Sequence, residues 1–395
     1  MRDSAAGFPA PRIVSSTADL AQLCDLLKRE PFVTIDTEFV REKTYWPELC
    51  LVQLGGTRDV AVVDTLAPGI DLAPLATLLD DAACIKVFHA ARQDLEIFLH
   101  LFDRLPQSIF DTQIAAMVAG YGDQIGYDAL VNAVTGGTID KTHRFSDWSA
   151  RPLSAAQIAY AAADVTHLRT VYVSLRAELE KQDRLHWADA EQAILTDPTT
   201  FRPDPRRMWE RLKARTNNRR MLAVLREVAA WREMEAQRLD LPRQRLVRDE
   251  SLLEIAAVQP ATPDALARVR GVTRGFADGA SGEGLLAAVR VALALPDGEL
   301  PRPPRKPDGA KPSAALVAML RVLLAAKCEQ NRVAPKLVAT GEDLDKLALG
   351  ETDLDVLQGW RKAVFGDDAL ALLRGELSMS VADRNVRLVR VEKDV

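Results

Sequence analysis

Cysteine is scarce in this 395-residue chain. The four present, Cys24, Cys50, Cys84 and Cys328, show no close pairing. That spacing argues against a disulfide framework or a zinc site and fits reduced, buried thiols in a cytosolic protein. Histidine numbers only five residues, and no two have the spacing of zinc ligands. Long apolar runs are missing too. None approaches the ~20 residues of a membrane span, and the richest, 285–295, is cut by Arg290. The opening Met1-Arg2-Asp3-Ser4 leads into no apolar signal segment. The expectation is a cytoplasmic protein without membrane contact, and no obligate protein partner is evident.

Charge, by contrast, is plentiful and uneven. The net charge is −5, yet residues 202–248 carry fourteen Lys/Arg and six Asp/Glu. That segment is +8 and the remainder −13. An acidic body with a basic segment can hold metal in one part and a polyanion in the other. Solvated arginine-rich helices have the same composition. The length suits two or three domains of roughly 150 residues.

The first ~180 residues read as α/β. Apolar, β-rich runs fall at 32–39, 51–54, 60–63 and 84–88, and helical patterns at 18–28, 72–79, 94–102 and 112–119. This succession predicts a mixed sheet covered by helices. Beyond residue 205 the strand signal fades, and Leu222, Leu225, Val228 and Ala229 recur at helical spacing. Two all-helical units are expected, 205–295 and 313–395, parted by a Pro-rich linker at 296–312. They share a faint repeat: Pro242, Val247, Leu252, Leu266 and Gly271 correspond to Pro335, Val338, Leu344, Leu354 and Gly359.

The strand Phe32–Phe39 places Asp36 and Glu38 on one face, because strand side chains alternate. Two carboxylates about 7 Å apart repel unless a cation lies between them. An exposed acidic edge strand is the plainer alternative. Asp94 follows the strand ending at Phe88 and falls near a helix start, where a carboxylate also serves as a cap. Asp111 opens the next helix and reads as a cap. Ser154 and Gln157 form a capping-box pattern ahead of an alanine-rich helix. On that helix Tyr160 and Asp164, four apart, share a face.

Asp36-x-Glu38, the His89…Asp94 segment and Tyr160-x-x-x-Asp164 resemble the three motifs of the Asp-Glu-Asp-Asp superfamily of 3′→5′ exonucleases. Tyr160 places the chain in the tyrosine subgroup, since the histidine subgroup would carry histidine where Ala159 stands. The stretch Phe39-Val-Arg-Glu-Lys-Thr-Tyr-Trp-Pro-Glu-Leu, with Asp111-Thr-Gln and Asp147-Trp-Ser-Ala-Arg-Pro-Leu-Ser, looks like the ribonuclease D family. The helical units resemble the two HRDC (helicase-and-ribonuclease-D C-terminal) modules of that family.

The resemblance implies a ribonuclease H-like α/β exonuclease domain over 12–200, followed by two helical-bundle HRDC-like domains. It implies two divalent ions, Mg²⁺ or Mn²⁺. Asp36 would bridge both, Glu38 and Asp164 would hold the ion beside the attacking water, and Asp94 would help hold the second. Tyr160 would orient the water. The implied reaction trims 3′ ends of structured RNA, tRNA precursors foremost, releasing nucleoside 5′-monophosphates. A DNA exonuclease on the same scaffold and a non-catalytic nucleic-acid adaptor are the competing readings; the intact acidic set argues against the adaptor.

For nucleic-acid contact the candidates are Arg206, Arg207, Arg215, Arg219 and Arg220 in the basic segment, which would neutralise phosphates without reading bases. Tyr45 and Trp46 either stack on the terminal base or pack in a core. His89 and His143 are expected to be structural or solvated.

Overall fold

The computed structural model describes residues 10–140, 142–143, 146–302 and 311–391. The signal-segment reading and residues 303–310 of the Pro-rich stretch lie outside the described residues.

Six strands form one mixed sheet: β1 (Arg12–Val14), β2 (Phe32–Val40), β3 (Glu48–Gly55), β4 (Val60–Asp64), β5 (Ile85–Phe88) and β6 (Ile109–Asp111). Their spatial order is β1-β4-β3-β2-β5-β6. β2, β3 and β4 are an antiparallel meander, while β1, β5 and β6 join in parallel. Parallel joins require crossovers, supplied in part by α1 (Thr17–Leu27), α2 (Ala73–Leu79) and α3 (Arg92–Phe102). These three helices cover one face of the sheet, over Val33, Ile35, Val52 and Leu54.

The other face carries α4 (Thr112–Ala119), α5 (Tyr127–Thr135) and the long α6 (Ala155–Lys181). Ser154 and Gln157 close the predicted capping box at the start of α6. The helix sits close on the sheet: Thr34 donates its hydroxyl to the Val165 carbonyl at 2.8 Å. Gly55 permits this approach, because a Cβ there would lie 2.5 Å from Thr34 Oγ1. Even-numbered residues of β2 therefore face α6, which is the geometry that assembles the site.

After α7 (Leu185–Gln192) come two helical units with separate cores. Each has a long helix, α8 (Arg219–Arg238) or Ala314–Asn331, then a one-turn helix, Arg243–Leu246 or Pro335–Val338, and a short helix, Asp249–Val258 or Gly341–Ala348. Gly271 and Gly359 both take positive φ, 82° and 50°. The paired positions of the faint repeat thus fall on equivalent elements. The second unit packs on the nuclease domain through Trp360, stacked on Trp187 with centroids 4.6 Å apart. Its indole donates to Glu191 at 3.0 Å.

Two expectations need correction. The second unit is not all-helical: Leu377–Ala382 and Asn385–Arg390 pair as an antiparallel hairpin. Both turn residues, Asp383 and Arg384, have positive φ, as a two-residue hairpin turn requires. Nor is 296–302 a free spacer, because Leu300 is buried in the first helical core. The three-residue strands β1 and β6 and the helix α5 carry too little periodic pattern to be read in advance.

Candidate active site

Asp36 and Glu38 lie two apart on β2 and face α6, where Tyr160 and Asp164 lie one turn apart. Carboxylate oxygens of Asp36, Glu38 and Asp164 come within 4.8 Å of one another. All three are deeply set, and burial dominates their electrostatics. It pushes Asp36 up to about 7. It pushes Glu38 up to about 9, with the charges of Asp36, Asp164 and Asp94 adding to the shift. Asp164 rises to about 8 through burial and then the charge of Asp36. Three acids held this close keep protons unless a cation replaces them. An all-oxygen donor set of this kind fits a hard divalent cation.

Asp94 stands beside this trio rather than in it. The helix α3 starts at Arg92, after Ala91, so Asp94 is not its cap. Its carboxylate instead accepts the Thr37 hydroxyl at 2.5 Å. Burial and then the charge of Asp36 raise its pKa. Asp111 does act as a cap, accepting from Gln113 N at 2.7 Å. The same carboxylate accepts from the Ala90 and Ala91 amides at 3.0 and 2.9 Å. It thereby fixes the turn that delivers α3, in which Ala90 takes φ 59°.

Tyr160 borders an open cavity of about 350 Å³ with Asp36, Glu38 and Asp164. Its ring lies against Trp148, centroids 6.0 Å apart, and His143, 6.4 Å. Among the further residues that line the cavity, Tyr127 and His89 stand out. Tyr127 donates its hydroxyl to the Asp164 carbonyl and so supports the turn of α6 that carries Asp164. His89, expected to be structural or solvated, forms part of the wall. Its Nδ1 lies 3.0 Å from Thr112 Oγ1 and its ring 5.2 Å from that of Tyr127. No local motif marks Tyr127; only the packing of α5 on α6 brings it in.

The nucleic-acid candidates fare unevenly. Tyr45 is buried, and its hydroxyl lies 2.5 Å from Glu233 of α8, with the Arg243 guanidinium 4.6 Å from its ring centroid. It cannot stack on a base while in this contact; the core-packing alternative describes it. Trp46 stacks on His100 at 4.2 Å between centroids. Arg219 donates to the Leu300 carbonyl at 2.7 Å and Arg220 to the Leu295 carbonyl at 2.6 Å. Arg220 clamps the end of the helix Ala280–Ala294, where cations suit exposed carbonyls, and Arg219 holds the segment after it through the carbonyls of Asp297 and Leu300. They are structural arginines of the first helical unit. Arg206 and Arg207 make exposed ion pairs with Glu227 and Glu210. Arg215 is exposed, as are Arg211 and Lys213, and none of the three makes an ion pair among the described residues.

No helix among the described residues is long and apolar enough to cross a membrane. Residues 11–180 match the family model of a 3′-5′ exonuclease, and residues 221–289 match that of an HRDC domain. The chain is similar to ribonuclease D of Gluconacetobacter diazotrophicus, 65% identical over 98% of this chain and 99% of that one. It is similar to ribonuclease D of Granulibacter bethesdensis at 62%, over 98% and 99%. Among solved structures, Escherichia coli RNase D, described as an exoribonuclease involved in structured RNA processing, superposes with a TM-score of 0.79. That match is 31% identical and covers 92% of this chain and 99% of the other. Because the likeness runs through the nuclease domain and the helical units alike, the chain belongs to the ribonuclease D family of 3′→5′ exonucleases.

Proposed function

We propose that the chain is a 3′→5′ exoribonuclease that trims structured RNAs, tRNA precursors among them, and releases nucleoside 5′-monophosphates by hydrolysis. The observation that carries this is the convergence of Asp36, Glu38 and Asp164 beside Tyr160 on one cavity. Two divalent ions, Mg²⁺ or Mn²⁺, would supply charge neutralisation on the phosphate and a more acidic water. In this reading Asp36 would be the ligand common to both ions, and Glu38 and Asp164 would hold the ion that activates water. Asp94, set back against Thr37, would help hold the second ion. Tyr160 orients the attacking water from α6.

The unit at 313–391 is the second HRDC-like module in this reading, on the strength of its shared element order with the first. The domains then run 12–200, 205–295 with Leu300 packed on its core, and 313–395, in a cytoplasmic protein. Phosphate contacts fall to Arg211, Lys213 and Arg215, with Arg206 and Arg207 beside them. The deciding assay offers matched RNA and DNA 3′ overhangs in Mg²⁺, Mn²⁺ or EDTA. RNA trimming that stops in EDTA is expected; cleavage of DNA alone would overturn the substrate.

A further inference from the structure

Gln53 is fully buried in the centre of the sheet, and neither its amide nitrogen nor its amide oxygen has a hydrogen-bond partner within the protein. An unpaired buried amide is costly, because it has given up its hydrogen bonds to water and gained none in return. An apolar side chain of similar volume would carry no such cost. The surroundings do not explain the amide. Leu51 and Val62 share its face of the sheet, by alternation along β3 and by register with β4. Thr34, diagonally across, already donates to the carbonyls of Gly55 and Val165.

Its register does explain it. Gln53 on β3 stands directly opposite Asp36 on β2. Residues opposite one another on an antiparallel pair point to the same face, with Cβ atoms about 4.5–5.5 Å apart. That face is the one toward α6, where the acidic trio converges. A glutamine side chain is long enough to reach a carboxylate across such a pair, a bond this structure leaves unmade, and its N–H is the donor a ligating carboxylate accepts on its outer side.

We propose that Gln53 is a positioning residue for the metal site: once the trio holds a cation, its amide, unpaired in this structure, turns to donate its N–H to the Asp36 carboxylate and fixes that carboxylate in its cation-binding orientation. The inference rests on the metal reading of the trio given above. It accounts for an amide that does nothing for the core and sits opposite the central ligand.

The test uses the full-length chain stripped with EDTA, comparing wild type, Gln53→Met and Gln53→Asn. Mn²⁺ binding is measured by calorimetry without RNA, and thermal melting is followed in EDTA. Gln53→Met keeps the volume and removes the amide; Gln53→Asn keeps the amide but shortens its reach. Both are expected to bind Mn²⁺ about 10–100-fold more weakly. Gln53→Met should melt in EDTA no lower than wild type, because it removes an unpaired buried group. Wild-type affinity in either folded variant overturns the proposal. So does a Gln53→Met chain that melts lower in EDTA or does not fold, since the amide would then serve the core. A wild-type chain that binds no Mn²⁺ removes the metal reading itself, whereas normal wild-type binding with unaffected variants removes only the role of Gln53.

Discussion

The Tyr45 hydroxyl lies 2.5 Å from Glu233 Oε1, 188 residues away in the chain. Arg243 and Gln237 donate to the same tyrosine oxygen at 2.7 and 3.1 Å. Asp240 accepts from the backbone N–H groups of Tyr45 and Trp46, each at 3.0 Å. The loop after β2 is thereby tied to α8. The tie continues inward, because Arg41 donates to the Tyr45 carbonyl and forms a two-pronged pair with Glu96, at 3.0 and 2.8 Å. Glu96 lies on α3, two residues beyond Asp94. The first helical unit is therefore joined both to the loop that leaves β2 and, through Arg41, to the helix that carries Asp94.

Tyr45→Phe keeps the ring under Arg243 and removes three hydrogen bonds, of which those to the charged Glu233 and Arg243 are each worth about 1.5–3 kcal/mol. We expect a lower melting temperature and a larger scattering radius as the first helical unit loosens. An unchanged radius would mean the other contacts suffice to hold it.

Acid should loosen the same joint. Burial pushes the Glu233 carboxyl up, but hydrogen bonds from Arg243 and Tyr45 outweigh it and hold the group below its ordinary value. A carboxyl depressed in the folded state stabilises above its unfolded value, about 4.3, and loses that contribution as pH falls through the folded value. Scattering between pH 6 and 3 should show the radius growing below about pH 4.3. Glu233→Gln should be loose already at pH 6.

The acidic trio behaves in the opposite sense. Asp36, Asp164 and Glu38 are raised to about 7, 8 and 9. Raised carboxyls stabilise fully below their unfolded values, about 4, and that contribution is lost as pH rises through the folded values. In EDTA the melting temperature should therefore fall between pH 5 and 9, and added Mn²⁺ should restore most at the alkaline end. Asp36→Ala or Asp164→Ala should abolish RNA trimming yet melt higher than wild type in EDTA at pH 8. Equal cation effects at pH 5 and 8.5 would contradict this account.

Tyr160→Phe preserves the ring contacts with Trp148 and His143. With the hydroxyl gone, the rate should fall by roughly 10²–10⁴, with RNA affinity little changed. A normal rate would make the tyrosine structural.

Charge at the basic segment separates two groups of arginines. Arg220→Glu should lower the melting temperature, because the helix end it clamps loses its donors, while the salt dependence of RNA binding stays put. Replacing Arg211, Lys213 and Arg215 together by alanine should flatten the slope of log affinity against log salt, by about 0.7 for each lost single-strand phosphate contact. The reverse pattern would exchange the two roles.

Strand alternation placed Asp36 and Glu38 on one face, and helical spacing placed Tyr160 beside Asp164. These are local rules, so the sequence by itself determined the acidic residues, the α/β class of the first domain and the helical class of the chain beyond residue 205. It also carried the alternation of the C-terminal hairpin, at Leu377, Met379 and Val381, which a helical expectation overrode. What no local rule supplies is which distant partners meet. Only the tertiary structure set Asp94 against Thr37, brought Tyr127 beneath Asp164 and placed Gln53 opposite Asp36. It also decided the fate of the arginines. A guanidinium reads the same in sequence whether it faces a phosphate or a helix end, and Arg219 and Arg220 find carbonyls more than 70 residues away. Tyr45 is the same case: an aromatic side chain suits a base or a core equally, and the docking of α8 determined which it met.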